Sequence, residues 1–140
     1  MSLYVGLGGV TRNACVTLCE GSEILGICEQ ERITRVRGAG VGETGLPEEA
    51  LDELLRRSRR HRDEVGAFVL AESAGSLGPN VVRLNHHFAH ACSAFLPSAF
   101  DSATIVVCDD EPPHVSVWDG DGNTITQIEW PWRANGFSEV

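Results

Sequence analysis

His86 and His90 are the residues of this 140-residue chain whose type and spacing most directly suggest chemistry. In a helix, side chains four apart lie on one face a turn from each other, so both imidazoles would point the same way. Each neutral ring offers one nitrogen to a divalent cation. The pair is therefore half of a metal site, lacking the further ligands, usually carboxylates, that a hard ion or a non-haem iron centre takes. Ala89, Ser93 and Ala94 beside them are too small to cover the rings. The same histidines also read as polar residues near a helix start, bonded to backbone and solvent, and spacing alone leaves both readings open. His87 is expected to face solvent or to cap the helix.

A helix must hold this pair. The apolar positions Phe88, Ala91, Cys92 and Phe95 recur at three-to-four spacing and form a stripe able to dock on a core, with Asn85 as the cap and a stop near Pro97. Before it, Leu3 to Gly9 reads as a strand running into glycine. Ala14 to Glu20 and Glu23 to Glu29 read as a hairpin turned by Gly21-Ser22. Residues 31–46 read as a long loop. Pro47 starts a helix with acids in its first turn, Ala50, Leu51, Leu54 and Leu55 on one face, and arginines in its last turn. Gly66 to Ala71 reads as a buried strand and Ser73 to Pro79 as a connector. After the histidine helix, Thr104 to Cys108 is a strand ending in acids, and His114 to Trp118 and Thr124 to Trp130 form a second hairpin about Asp119-Gly120-Asp121-Gly122.

Composition narrows the function. The net charge of −9 with 11 basic residues argues against nucleic acid, which needs a basic surface. The five cysteines include no C-x-x-C pair and sit in apolar runs, as reduced buried thiols do. The start Met-Ser-Leu-Tyr-Val lacks the pattern of a signal peptide, and no apolar run approaches the roughly 18 residues of a membrane span. The expectation is a cytoplasmic protein with no membrane association.

A strand tipped with glycine or acid and followed by a hairpin thus occurs twice, with the histidine helix between the copies. This doubled pattern resembles the actin-like ATPase superfamily, whose two ribonuclease H-like lobes hold a nucleotide between their first hairpins. More specifically, Leu25-Gly26-Ile27-Cys28-Glu29-Gln30-Glu31-Arg32-Ile33-Thr34-Arg35-Val36-Arg37 and His86-His87-Phe88-Ala89-His90-Ala91-Cys92-Ser93-Ala94-Phe95, with Ser98-Ala99-Phe100-Asp101, are similar to two signatures of the nodulation, cephamycin and tobramycin type O-carbamoyltransferases. The similarity covers essentially the whole chain but only the N-terminal quarter or so of a typical member.

The resemblance implies an α/β fold: a ribonuclease H-like mixed sheet with flanking helices over residues 1–100, then the first strands of a second, incomplete lobe over 101–140. It implies transfer of a carbamoyl group from carbamoyl phosphate, through a carbamoyl-adenylate made with ATP, to a hydroxyl of a small natural product. It implies a divalent metal (iron, magnesium or zinc) on His86, His90 and Asp109, and phosphate or nucleotide contacts from Arg12, Asn13, Arg32 and Arg35. The chain departs from the family at two turns. Arg12-Asn13-Ala14-Cys15 stands where members carry His-Asp-Ala-Ser, and Asp109-Asp110-Glu111-Pro112-Pro113 where they carry Asp-Gly-x-Gly-Glu. Losing those glycines removes close backbone approach and phosphate-cradling amides.

These departures motivate a second expectation, a non-catalytic module that forms a homodimer through its open sheet or docks on a partner chain supplying the missing lobe. Trp118, Trp130, Trp132 and Phe137 would then serve as interface or packing residues. A hydrolase or kinase on the same two-lobe scheme is a third, since fold does not fix chemistry.

Overall fold

Leu3, Val5 and Leu7 point one way along the first strand, β1 (Leu3–Gly8), and all three are buried, while Tyr4 and Gly8 on the other face are exposed. This alternation is the period of a strand with one face on a core. The computed structural model describes residues 2–71, 80–110 and 112–129. It resolves two compact units, Met1–Leu84 and Asn85–Val140.

In the first unit, β1 pairs antiparallel with β2 (Cys15–Glu20), which turns through Gly21 into β3 (Glu23–Glu29). On its other side β1 pairs parallel with β4 (Val65–Leu70), and β4 pairs parallel with β5 (Val81–Arg83). The sheet is therefore mixed, in the order β3-β2-β1-β4-β5. The helix α2 (Glu48–Ser58) lays Ala50, Leu51, Leu54 and Leu55 on it, against Val5, Val16 and Leu18. Each such leucine contributes about 1.5–3 kcal/mol by leaving water. Pro47 sits at the N-cap, as its fixed φ and missing N–H favour at a helix start.

Two elements correct the sequence reading. A short helix, α1 (Gln30–Thr34), interrupts the expected loop of 31–46. Its first residue, Gln30, is buried; its carboxamide oxygen accepts from Ala50 N at 3.0 Å and its nitrogen donates to the Glu49 carboxylate, so α1 is held by α2. The three-residue β5 was not expected either.

In the second unit, α3 (His86–Phe95) packs on an antiparallel sheet of β6 (Ser102–Cys108), β7 (Val115–Asp121) and β8 (Thr124–Ile128). The hairpin turn is Gly122-Asn123, two residues beyond the centre expected from sequence, with Asp121 paired to Thr124. Ala91, Phe95, Ile105, Val107 and Trp118 form this unit's core. The histidine helix therefore groups with the strands that follow it, whereas the sequence reading places the boundary after residue 100. The expected connector Ser73 to Pro79 and the residues Trp130, Trp132 and Phe137 lie outside the described residues. No described helix is long and apolar enough to cross a membrane.

Candidate metal centre

Asn85 sets the start of α3: its side-chain oxygen accepts from Phe88 N at 3.0 Å and satisfies one of the donors a helix start leaves open. His86 and His90 then face the same way, with ring centroids 4.6 Å apart at 88°. Asp109 reaches them from the end of β6. Its Oδ2 lies 2.8 Å from His86 Nε2 and 3.1 Å from His90 Nε2, and the two Nε2 atoms are 3.1 Å apart. The carboxylate side chain is only 10% exposed, against 37% for His86 and 51% for His90, so the cluster opens to solvent on its histidine side.

The turn after β6 holds Asp109 in place. Its backbone N–H donates to His114 O at 2.7 Å, and His114 itself takes a left-handed φ of 59°. Ligands bound about 2.1 Å from a common ion stand roughly 3.0 to 3.4 Å apart, and the three atoms here nearly meet that spacing. Two imidazoles and a carboxylate suit zinc or ferrous iron better than magnesium, which prefers an all-oxygen shell. Among the described residues this is the grouping of His, Cys, Asp and Glu that could hold an ion. Cys92, two residues beyond His90, is not part of it; burial pushes its thiol up, keeping it neutral.

His87 departs from expectation. It is 3% exposed and faces the sheet, with Nδ1 2.6 Å from Ser116 Oγ on β7; Trp118 Nε1 donates to the same oxygen at 2.7 Å. Trp118 is likewise buried, its ring tilted at 48° to that of Phe88 with centroids 5.6 Å apart, and so belongs to the core and not to an exposed strip. Sequence reasoning missed Ser116. Its one signal is a polar residue two positions from Trp118, on the same face of the strand.

The remaining candidates lie in the first unit. Arg12 and Asn13 are exposed in the β1–β2 turn, where Asn13 takes a φ of 56°. The loop after α1 closes over that turn: Asn13 N donates to Gly38 O at 3.2 Å, Ala14 N to Ala39 O at 2.8 Å and Val41 N to Val10 O at 2.9 Å. Arg35, exposed at the C-cap of α1, leads into this loop. The two segments that carry the arginines therefore adjoin. Arg32 is instead paired with Glu29 at 2.9 Å, beside an open depression of about 420 Å³ that Cys15, Cys28 and Arg57 also line. Burial, then the charge of Glu29, pushes the Cys15 thiol up, so it stands there as a neutral thiol.

No family model matches the chain. Over 58 residues it is 42% identical to the uncharacterized protein sll1178 of Synechocystis sp., a stretch that covers 38% of this chain and 9% of that protein. The matched stretch thus spans under a tenth of that relative's length. Among solved structures it is similar to YeaZ from Pseudomonas aeruginosa, with a TM-score of 0.54 over 94% of this chain and 72% of that one, at 12% identity. The mixed sheet, its flanking helices and this likeness agree with a ribonuclease H-like fold.

Proposed function

We propose that this chain is the N-terminal part, or a shortened relative, of an ATP- and metal-dependent O-carbamoyltransferase that moves a carbamoyl group from carbamoyl phosphate to a hydroxyl of a natural product. The observation that carries the reading is the convergence of His86 Nε2, His90 Nε2 and Asp109 Oδ2 within 3.1 Å of one another. A divalent ion held there would supply positive charge to a phosphate oxygen in the transition state. The protein's own part is positional. The helix fixes the two imidazoles, the β6 terminus fixes the carboxylate, and the open histidine side leaves room for a substrate oxygen. Arg12 and Arg35, on adjoining segments, are the residues proposed to meet phosphate, joined by Asn13; Arg32 would have to leave Glu29 to do so.

The test is carbamoyl-phosphate-dependent ATP turnover with iron, zinc or magnesium, run on the chain alone and on a longer chain that adds a C-terminal lobe. Turnover by the longer form that fails in a His86→Ala, His90→Ala double variant supports the reading. Equal turnover by that variant sinks the metal assignment.

A second reading, a non-catalytic lobe that dimerises or binds a partner, is favoured by the turn after β6. There Pro112 and Pro113 bring no N–H to cradle a phosphate. Exposed Ile24 and Ile27, each 62% accessible on the edge strand β3, add apolar surface for an interface. A tight dimer without turnover in either form would establish it over the enzyme.

A further inference from the structure

We propose that Ser116 is a positioning residue for the His86, His90 and Asp109 cluster, acting through the ring of His87; the inference rests on the metal reading of that cluster. Ser116 and His87 are each 3% exposed, and their Oγ to Nδ1 separation is 2.6 Å. The indole N–H of Trp118 can only donate, and at 2.7 Å it occupies one lone pair of Ser116 Oγ. Its second lone pair and its hydroxyl proton are both available to His87 Nδ1 at 2.6 Å, so the bond forms in either tautomer of the ring. The hydrogen bonds linking Trp118, Ser116 and His87 are directional, which the apolar contacts around them are not.

Direction matters because His86, His87 and His90 ride on one rigid helix. Side-chain atoms lie about 5–6 Å from a helix axis, so a roll of about 10° displaces a ring nitrogen by about 1 Å. A shift of that size opens a ligand set whose members are 2.8 to 3.1 Å apart. The bond from Ser116 to His87 opposes the roll, seconded by the contact of Phe88 with Trp118.

Ser116 also fixes the other half of the cluster. It pairs with Val107 in the β6–β7 ladder, Val115 pairs with Cys108, and the next rung is the bond from Asp109 N to His114 O. One residue therefore ties the helix that carries the imidazoles to the strand pair that presents the carboxylate. Groups bonded directly to a ligand are worth roughly 10- to 100-fold in metal affinity, and Ser116, which acts through His87, falls at the lower end of that range.

The experiment compares the full chain with Ser116→Ala and Ser116→Thr, using zinc by chelator competition and, in zinc-free protein, the ring resonances of His86 and His90 by NMR. Ser116→Ala is expected to lose about tenfold in zinc affinity and to move both ring signals, while Ser116→Thr, which keeps the hydroxyl, stays within about threefold of the parent. Parent-like affinity and ring signals in Ser116→Ala would overturn the proposal, as would a Ser116→Thr variant that falls equally far. If the folded parent binds no zinc, the metal reading fails and the ring signals alone decide: movement supports positioning, and its absence overturns it. Should Ser116→Ala fail to fold, His87→Phe, which keeps a ring without Nδ1, reads the same link by the same two measurements.

Discussion

His86 Nε2 and His90 Nε2 face each other at 3.1 Å, with the Asp109 carboxylate closing the triangle. A metal takes imidazoles in their neutral form, and the three atoms that would bind it already stand near the spacing an ion sets. Zinc should therefore stabilise the fold by mass action, adding about 2.7 kcal/mol at a free concentration 100 times its dissociation constant. Urea unfolding with zinc and with a chelator measures this. His90→Ala should abolish the increment, and equal midpoints for the parent under both conditions would count against the site.

Gln30 is expected to contribute far more than an ordinary polar residue. Its carboxamide satisfies Ala50 N at 3.0 Å and binds Glu49, so Gln30→Ala strands a buried donor at the start of α2. The expected loss is about 1–3 kcal/mol in urea unfolding. An unchanged midpoint would mean that water replaces the carboxamide.

Gly120 marks where the second unit has no room. A Cβ built there would stand 2.8 Å from Phe95 Cδ1 and Cε1, and the Phe95 ring is itself buried on α3. Gly120→Ala should cost about 1–3 kcal/mol by overpacking and, because α3 must shift to accommodate it, weaken zinc binding too. Retained stability together with full zinc affinity would contradict this packing.

Acid should loosen the first unit through its paired carboxylates. Hydrogen bonds from Arg56 and then Arg57 lower Glu53 from 4.5 to about 2, and Arg62 first among its partners lowers Glu48. A lowered folded-state pKa means stability that is present above about 4.5 and lost as the pH falls toward about 2. Glu53→Gln should therefore be less stable than the parent at pH 6 and converge on it near pH 2, with a smaller gap at high salt. A constant difference across that range would exclude the ion pair as its source.

Most of the strand and helix order was legible because it is local. Short apolar or β-rich runs bounded by glycine and polar residues marked β1 to β4, the leucine stripe marked α2, and Asn85 with the His-x-x-x-His spacing marked α3. The short helix α1 escaped because five residues carry no periodicity; a buried carboxamide on another helix holds it, not propensity. β5 escaped because three residues become a strand only by pairing with β4.

By itself, the sequence determined that two imidazoles would share one helical face, since four residues make about one turn wherever a helix forms. That Asp109 stands beside them rested on resemblance, and its distance is set by how α3 seats on β6 and β7. The burial of His87 against Ser116, 29 residues away, was decided by tertiary structure alone. A strand register and a helix docking angle are products of the whole packed unit, so no local spacing in the chain encodes that contact.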